Sequence, residues 1–420
     1  VETVSPAQLG GTAAAVANGI RARYMAPAGL EWVLLVGDRA QVPALTGTYE
    51  GALSDQRYAM VAGDDLWPDL MVSRLPARTA DEAATQVARI LAYERDVTAG
   101  AGTFDRASGV ASAEGSPADH ERADALRADL LAGGFASVDR VYEIDGAGSG
   151  DVRTAVRGGA SLVNYLGHGS GTAWQSVPFT TADVRGLGNT SSWPWIVDAS
   201  CLNGDFARDE CLAEAWLRAG SATAPAGAVG VLAATGLVPW TPPIHMQGGI
   251  VDALTAGSAG SLGELTHAGL ARVLDIYDGL PVAAQVVEQY VLFGDASLRV
   301  RTRTPRACTV TVDREVGADD AVWWVEVDAS PGAVVALSSG SDLHGRGTVG
   351  TDGWAEVALF DLPPGTTELD LTVTGQDLAP WLGTVDVVDA VSEVTAPAPE
   401  GLRALGNRPN PFNPTTVIAC

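Results

Sequence analysis

The sequence predicts an α/β fold, a mostly parallel sheet flanked by helices, with a small all-β sandwich behind it. Three observations carry this. From Val1 to about Thr304 short apolar runs alternate with amphipathic stretches, the pattern of strands joined by helical crossovers and so of a parallel sheet covered on both faces. From about Pro305 to Ala390 short alternating segments are separated by turn signals, as in a β-sandwich. A length of 420 residues with 46% hydrophobic content supports two or three domains with real cores and excludes wholesale disorder.

The elements follow in order. Glu31-Trp-Val-Leu-Leu-Val-Gly37 is an apolar run ended by Gly-Asp, a buried strand. Thr79 to Asp96 spaces Ala83, Val87, Ile90, Leu91 and Tyr93 at helical intervals after a Thr/Asp start, a capped helix. Ser108 to Ala113 reads as a strand, and Asp119 to Gly133 as a helix ended by Gly-Gly. Ser161-Leu-Val-Asn-Tyr-Leu166 and Trp195-Ile-Val-Asp-Ala199 are buried strands, Glu210 to Ala219 is a helix and Val229 to Ala234 a strand. In the second zone Thr309–Asp313, Val322–Asp328, Ala333–Ser338, Trp354–Phe360 and Glu368–Thr374 alternate as strands. A Pro/Ala linker, Ala396-Pro-Ala-Pro-Glu400, and a turn-rich string to Thr416 close the chain.

Composition narrows the partners. The chain carries 51 acidic and 26 basic side chains, a net charge of −25. That repels a nucleic-acid backbone or an anionic membrane and suits a basic peptide. No run reaches the roughly 18 apolar residues of a membrane span. Cys201, Cys211, Cys308 and Cys420 form no C-x-x-C pair and no Cys/His cluster at zinc spacing, so neither a disulfide scaffold nor a zinc site is expected. The start at Val1 without Met or signal peptide and the stop in mid-pattern at Cys420 suggest a fragment or processed form.

Two apolar strands end in reactive residues flanked by glycine: Asn164-Tyr-Leu-Gly-His-Gly-Ser-Gly171 and Val197-Asp-Ala-Ser-Cys-Leu-Asn-Gly-Asp205. Groups just past the carboxyl ends of parallel strands converge in a crevice. His168 and Cys201 are 33 residues apart, room for one strand–crossover–strand unit with an insertion. An imidazole there deprotonates a thiol and protonates a leaving amine. The N–H groups of Gly169 and Cys201 are candidates to hold an oxyanion. On spacing alone, a buried small hydrophobe for the cysteine and a plain turn for Gly-His-Gly stay open.

The longer blocks Asn164-Tyr-Leu-Gly-His-Gly-Ser-Gly-Thr-Ala-Trp174 and Asp198-Ala-Ser-Cys-Leu-Asn-Gly-Asp-Phe206 resemble the histidine and cysteine blocks of the gingipain family, cysteine endopeptidases of the caspase-like clan. Leu34-Leu-Val-Gly-Asp-Arg-Ala-Gln-Val-Pro-Ala44, Ser54-Asp-Gln-Arg-Tyr58, Leu91-Ala-Tyr-Glu-Arg-Asp96, Ala111-Ser-Ala-Glu-Gly115 and Phe293-Gly-Asp-Ala-Ser-Leu-Arg-Val-Arg-Thr302 resemble further family blocks in family order. The resemblance spans roughly residues 5–303 and places the family's first strand before Val1. It implies a caspase-like sheet in two subdomains, 1–105 and 106–304. The region 305–392 is similar to the immunoglobulin-like domain that follows in that family. Residues 393–420, with Asn410-Pro-Phe-Asn-Pro-Thr-Thr416, resemble a linker and the start of a type IX secretion sorting domain, which implies export and surface attachment or release.

The same resemblance implies roles. Cys201 would be the nucleophile, His168 the general base and acid, and Glu114 the acid supporting the histidine. A thiolate beside an imidazolium would have a lowered pKa. The acid of a pocket for Arg or Lys falls at Asp119 or His120, depending on where a gap is placed, and Asp119 is the choice. Trp240 would wall that pocket and Leu166 and Ala199 line it, although Leu166 replaces a small hydroxyl residue of arginine-specific members. No catalytic cofactor is implied. Family members bind calcium structurally, and Asp64, Asp65 and Asp69 are candidates for such a loop or a solvated acidic turn. Cys211 reads as core, Cys308 as structural, and His245 and His267 have no companion at metal spacing. The expected function is a secreted cysteine endopeptidase acting on protein or peptide substrates. The alternatives are an inert adhesin or binding module on the same scaffold, or a transpeptidase passing the acyl group to an amine.

Overall fold

The computed structural model describes residues 2–388 apart from 28, 103 and 313. Eight strands form the main sheet: β1 Trp32–Val36, β2 Met71–Leu75, β3 Arg106–Ala111, β4 Ser137–Tyr142, β5 Leu162–Leu166, β6 Trp195–Ala199, β7 Gly230–Ala234 and β8 Tyr290–Gly294. Their order is β1-β2-β8-β7-β6-β5-β3-β4. All neighbours are parallel except β7 and β8. The one antiparallel junction makes β3 to β7 end at one rim and β1, β2 and β8 at the other. Strand β8 was not separated in the sequence because it follows the Pro281–Gln289 helix without a turn residue.

Buried strands read as continuous apolar runs because both faces are covered. Successive residues feed opposite cores. Trp195, Val197, Leu232 and Leu292 enter one with the Pro242–Ala256 and Leu262–Tyr277 helices, and Ile196, Val231, Val291 and Phe293 enter the other with Trp174, Phe179, Phe206 and Trp216. The Ala80–Glu94 helix forms where its Thr79 cap predicts, with Thr79 Oγ1 accepting from Glu82 N at 3.2 Å. Of the expected residues Tyr93 is buried, joined by Thr85, Gln86 and Arg89, whereas Val87 is 44% exposed. Arg89 is inside because its guanidinium satisfies the carbonyls of Leu217, Ala219 and Ala228. Burial without an acid pushes its pKa down to about 9.

The carboxyl-terminal part is all β. One ladder of eight strands curls around a single core of Trp323, Val325, Val335, Leu337, Val357, Leu371, Val373 and others. Alternation located five of these strands, but the two-residue Val316–Gly317 was missed, as were Asp342–Val349 and Trp381–Val388, whose patterns glycines interrupt. The buried Arg301 clamps the module to the α/β part, donating to the carbonyls of Tyr93 at 3.1 Å and Leu378 at 2.9 Å. Asp377 accepts from the Thr302 N–H and hydroxyl, both at 2.8 Å. The linker and sorting-domain start expected over 393–420 lie outside the described residues.

Candidate active site

Strands β5 and β6 are neighbours in register, with Leu166 opposite Ala199. His168 and Cys201 each sit two residues further on, so both leave the sheet at the same rim. The two loops touch there: a Cβ on Gly169 would lie 2.2 Å from the Cys201 carbonyl oxygen and 2.5 Å from Ser200 Oγ. Only glycine permits this approach. Neither the Gly169 nor the Cys201 N–H donates to a protein acceptor among the described residues. Leu202, directly after the cysteine, is left-handed with φ 66°, a conformation non-glycine residues hold only when surrounding contacts impose it.

Those contacts converge on Asp198. Its carboxylate, fully buried under the rim, accepts hydrogen bonds from Trp174 Nε1 at 2.7 Å, Asn203 Nδ2 at 2.9 Å and the Ser200 hydroxyl. Asn203 Oδ1 in turn accepts from Gly171 N at 3.2 Å. One acid therefore stitches the histidine loop to the cysteine loop. Burial pushes its pKa up to about 6, against the pull of the three donors.

Above this floor the reactive groups are looser. His168 Nε2 meets Glu114 Oε2 at 3.2 Å, with the side chains 48% and 58% exposed. The imidazole and the Trp240 ring meet edge to face, 4.8 Å between centroids. Glu114 is carried there by the end of β3, where Ser112 N donates to Leu166 O and Ser112 Oγ accepts from Glu114 N. The Cys201 sulfur is half-buried, accepting from Val238 N at 3.4 Å and donating to Val238 O at 3.6 Å. No hydrogen bond joins it to His168 among the described residues. The thiol pKa is raised by burial, with the Asp198 and Glu50 carboxylates adding to the rise and the Val238 N–H opposing it. The lowered value expected for a thiolate beside an imidazolium is thus not what this geometry gives. The imidazole is engaged by Glu114 and Trp240 instead.

Beside the pair Leu166, Ala199 and Ile244 form a small buried apolar cluster with Trp240 packed against it, the residues expected to line a P1 pocket. Asp119 is fully buried there. Its Oδ1 accepts from Trp240 Nε1 at 3.0 Å and its other oxygen from the Ser112 hydroxyl. Burial raises its pKa, opposed by both hydrogen bonds. Gly115 makes the turn at φ +90°, where a Cβ would stand 3.1 Å from Asp119 Oδ1. His120, the other candidate, turns toward Tyr142 with 6.4 Å between ring centroids.

The remaining candidates stand apart. Asp69 Oδ2 accepts from the N–H groups of Val61 and Ala62, and Asp65 Oδ1 from Trp67 N, so these acids close turns. Among the described residues no three His, Cys, Asp or Glu side chains converge as a metal site. Cys211 and Cys308 are buried. His245 Nδ1 meets the Tyr277 hydroxyl at 3.1 Å, and His267 is largely buried with its pKa lowered by desolvation. Sequence reading missed three residues: Asp198, whose signal was an acid inside an apolar run; Ile244; and Glu50, whose charge reaches the thiol from a hairpin turn far away in sequence.

The pattern of Peptidase family C25 matches residues 1–301. The chain belongs to that family. It is 33% identical to gingipain R2 of Porphyromonas gingivalis over 359 residues, covering 82% of this chain and 48% of that protein. Lys-gingipain of the same organism is 22% identical over 420 residues, covering 90% of this chain and 23% of that protein. The chain thus spans about half the length of the first of these curated relatives or less. The crystal structure of the Arg-specific cysteine proteinase gingipain R superposes with a TM-score of 0.84 at 31% identity, covering 90% of this chain and 88% of the other. A complex of pro- and mature domains from Porphyromonas gingivalis gives 0.87 at 30% identity, covering 92% and 93%. Among the described residues no helix is long and apolar enough to cross a membrane.

Proposed function

We propose that this chain is a cysteine endopeptidase in which Cys201 is the nucleophile, His168 the general base and acid, and Glu114 its supporting carboxylate. The observation that carries the reading is the shared rim, where two in-register strands deliver the imidazole and the sulfur on loops held in contact at Gly169. Nε2 is the ring atom engaged with Glu114. With the proton on Nε2, Nδ1 is the free base. It takes the thiol proton as Sγ attacks the peptide carbonyl carbon. The developing oxyanion is received by the Gly169 and Cys201 N–H groups. The C–N bond then breaks as the imidazolium passes its proton to the departing amine, leaving a thioester. Water, deprotonated by the same nitrogen, hydrolyses the thioester and restores the thiol. A thiol with a raised pKa suits this order, because it needs the base at the moment of attack and does not rest as an ion pair.

The pocket supports a preference for Arg or Lys at P1. A cationic side chain entering between Leu166, Ala199 and Ile244 would lay its stem on Trp240 and its charge on Asp119. The string at 410–416 supports a reading of the protein as exported. A fluorogenic positional-scanning peptide library tests activity and preference together. Release after Arg or Lys alone is expected. Release after acidic or neutral residues would overturn the pocket assignment, and release from no sequence under reducing conditions would favour the inert scaffold.

A further inference from the structure

We infer that the outer face of the carboxyl-terminal β module is a binding site for cationic side chains of basic polypeptides, formed by a two-by-two array of Trp324, Glu326, Trp354 and Glu356. The array follows from strand register. In Val322–Val327 and Trp354–Leu359, Trp324 is opposite Glu356, and Glu326 is opposite Trp354. The alternate residues Trp323, Val325, Val327, Ala355 and Val357 are in the core, so all four array members face out. Each indole thus has one carboxylate across from it and another two residues along its own strand.

This arrangement is costly for a surface that binds nothing. Trp324 is 47% and Trp354 37% exposed. Among the described residues neither indole pairs with another aromatic ring, and neither glutamate forms a salt bridge. Two carboxylates are therefore held on one small patch without an ion pair to either. Directly opposed side chains have Cβ atoms roughly 5 Å apart, and diagonal ones roughly 7–8 Å. A single guanidinium or ammonium can therefore lie on an indole face and touch a carboxylate at once. The indole quadrupole attracts a cation, and the flanking acid adds to that attraction.

The charge around the array selects the same partner. Residues 305–388 hold 14 acidic side chains against three arginines, so the module draws in basic chains and repels acidic ones. A neutral sugar would stack on the indoles yet gain nothing from the carboxylate pairing or this field. The inference does not depend on the peptidase reading, since the module is separate from the rim that carries Cys201.

The test uses the full chain and fluorescein-labelled octa-D-arginine, a probe that peptidases of L-chains leave intact, followed by anisotropy at low salt. The double variant Glu326→Gln with Glu356→Gln keeps the shape of the face and should weaken binding about five- to tenfold, as should Trp324→Ala with Trp354→Ala. The control Glu368→Gln with Asp370→Asn removes the same charge elsewhere on the module and should change binding less than about twofold. Equal weakening by the array and control variants would reduce the effect to net charge and overturn the site. Unchanged octa-arginine binding in the array variants, with loss of cellohexaose binding in the Trp variant, would overturn it in favour of a sugar platform.

Discussion

The rim and the floor of the proposed active site are built on different terms. At the rim, His168 and Glu114 are about half exposed and meet through one contact, and among the described residues the sulfur of Cys201 has hydrogen-bond partners only in the backbone of Val238. At the floor, Asp198 and Asp119 are buried, and every carboxylate oxygen has a donor. The difference teaches where positioning resides. Reactive groups must approach and leave a substrate, so they stay loosely tied, while buried acids lock the loops that carry them. Desolvated, hydrogen-bonded charges are expensive to disturb, and exposed pairs contribute little.

Substitutions of the carboxylates at the two levels should therefore separate by size. The largest effect is expected at the floor of the pocket. Asp119→Ala should cost about 2–5 kcal/mol in kcat/KM for a substrate with P1 Arg, because the cation is left desolvated and unpaired. Equal turnover of that substrate by the variant would place the pocket acid elsewhere. Asp198 comes next, through stability. Its carboxyl is raised in the fold, from 3.8 to about 6, so the folded state holds a proton that the unfolded state has released. Stability is therefore lost as pH rises from about 4 to about 6, by about 3 kcal/mol from this group. Urea unfolding across that window should show the slope in the native protein and a flatter one in Asp198→Asn; identical slopes would mean the acid is not desolvated.

For the carboxylates nearer the rim the effects should shrink. Glu114→Gln should lower kcat/KM less than about fivefold, the ceiling for an exposed ion pair, and a hundredfold loss would show the carboxylate to be as essential as the floor. Smallest is Glu50→Gln. Removing that charge should lower the apparent thiol pKa of Cys201, read as the pH at which iodoacetamide labelling accelerates. A profile that does not move would disconnect the hairpin from the cleft.

Much of this was legible in the sequence. The apolar runs ending in Gly-His-Gly and Ser-Cys-Leu marked β5 and β6 and their rim, and Thr79 marked a helix start through its hydroxyl. What escaped depends on contacts between distant segments. The buried face of the Ala80–Glu94 helix is set by three carbonyls near residues 217–228 that need Arg89, against its apolar spacing. Strand β8 enters between β2 and β7 although nothing near Tyr290 signals a strand beginning. The meeting of His168 with Glu114 follows the expectation from the family resemblance, but the raised thiol is an outcome of packing, since Glu50 arrives from a loop that no local pattern ties to Cys201.

The most direct check on the proposed chemistry is casein hydrolysis under reducing conditions by the native chain, Cys201→Ala and Cys211→Ala. The account predicts at least about a thousandfold loss for Cys201→Ala and near-native turnover for a correctly folded Cys211→Ala. Undiminished hydrolysis by Cys201→Ala would contradict it.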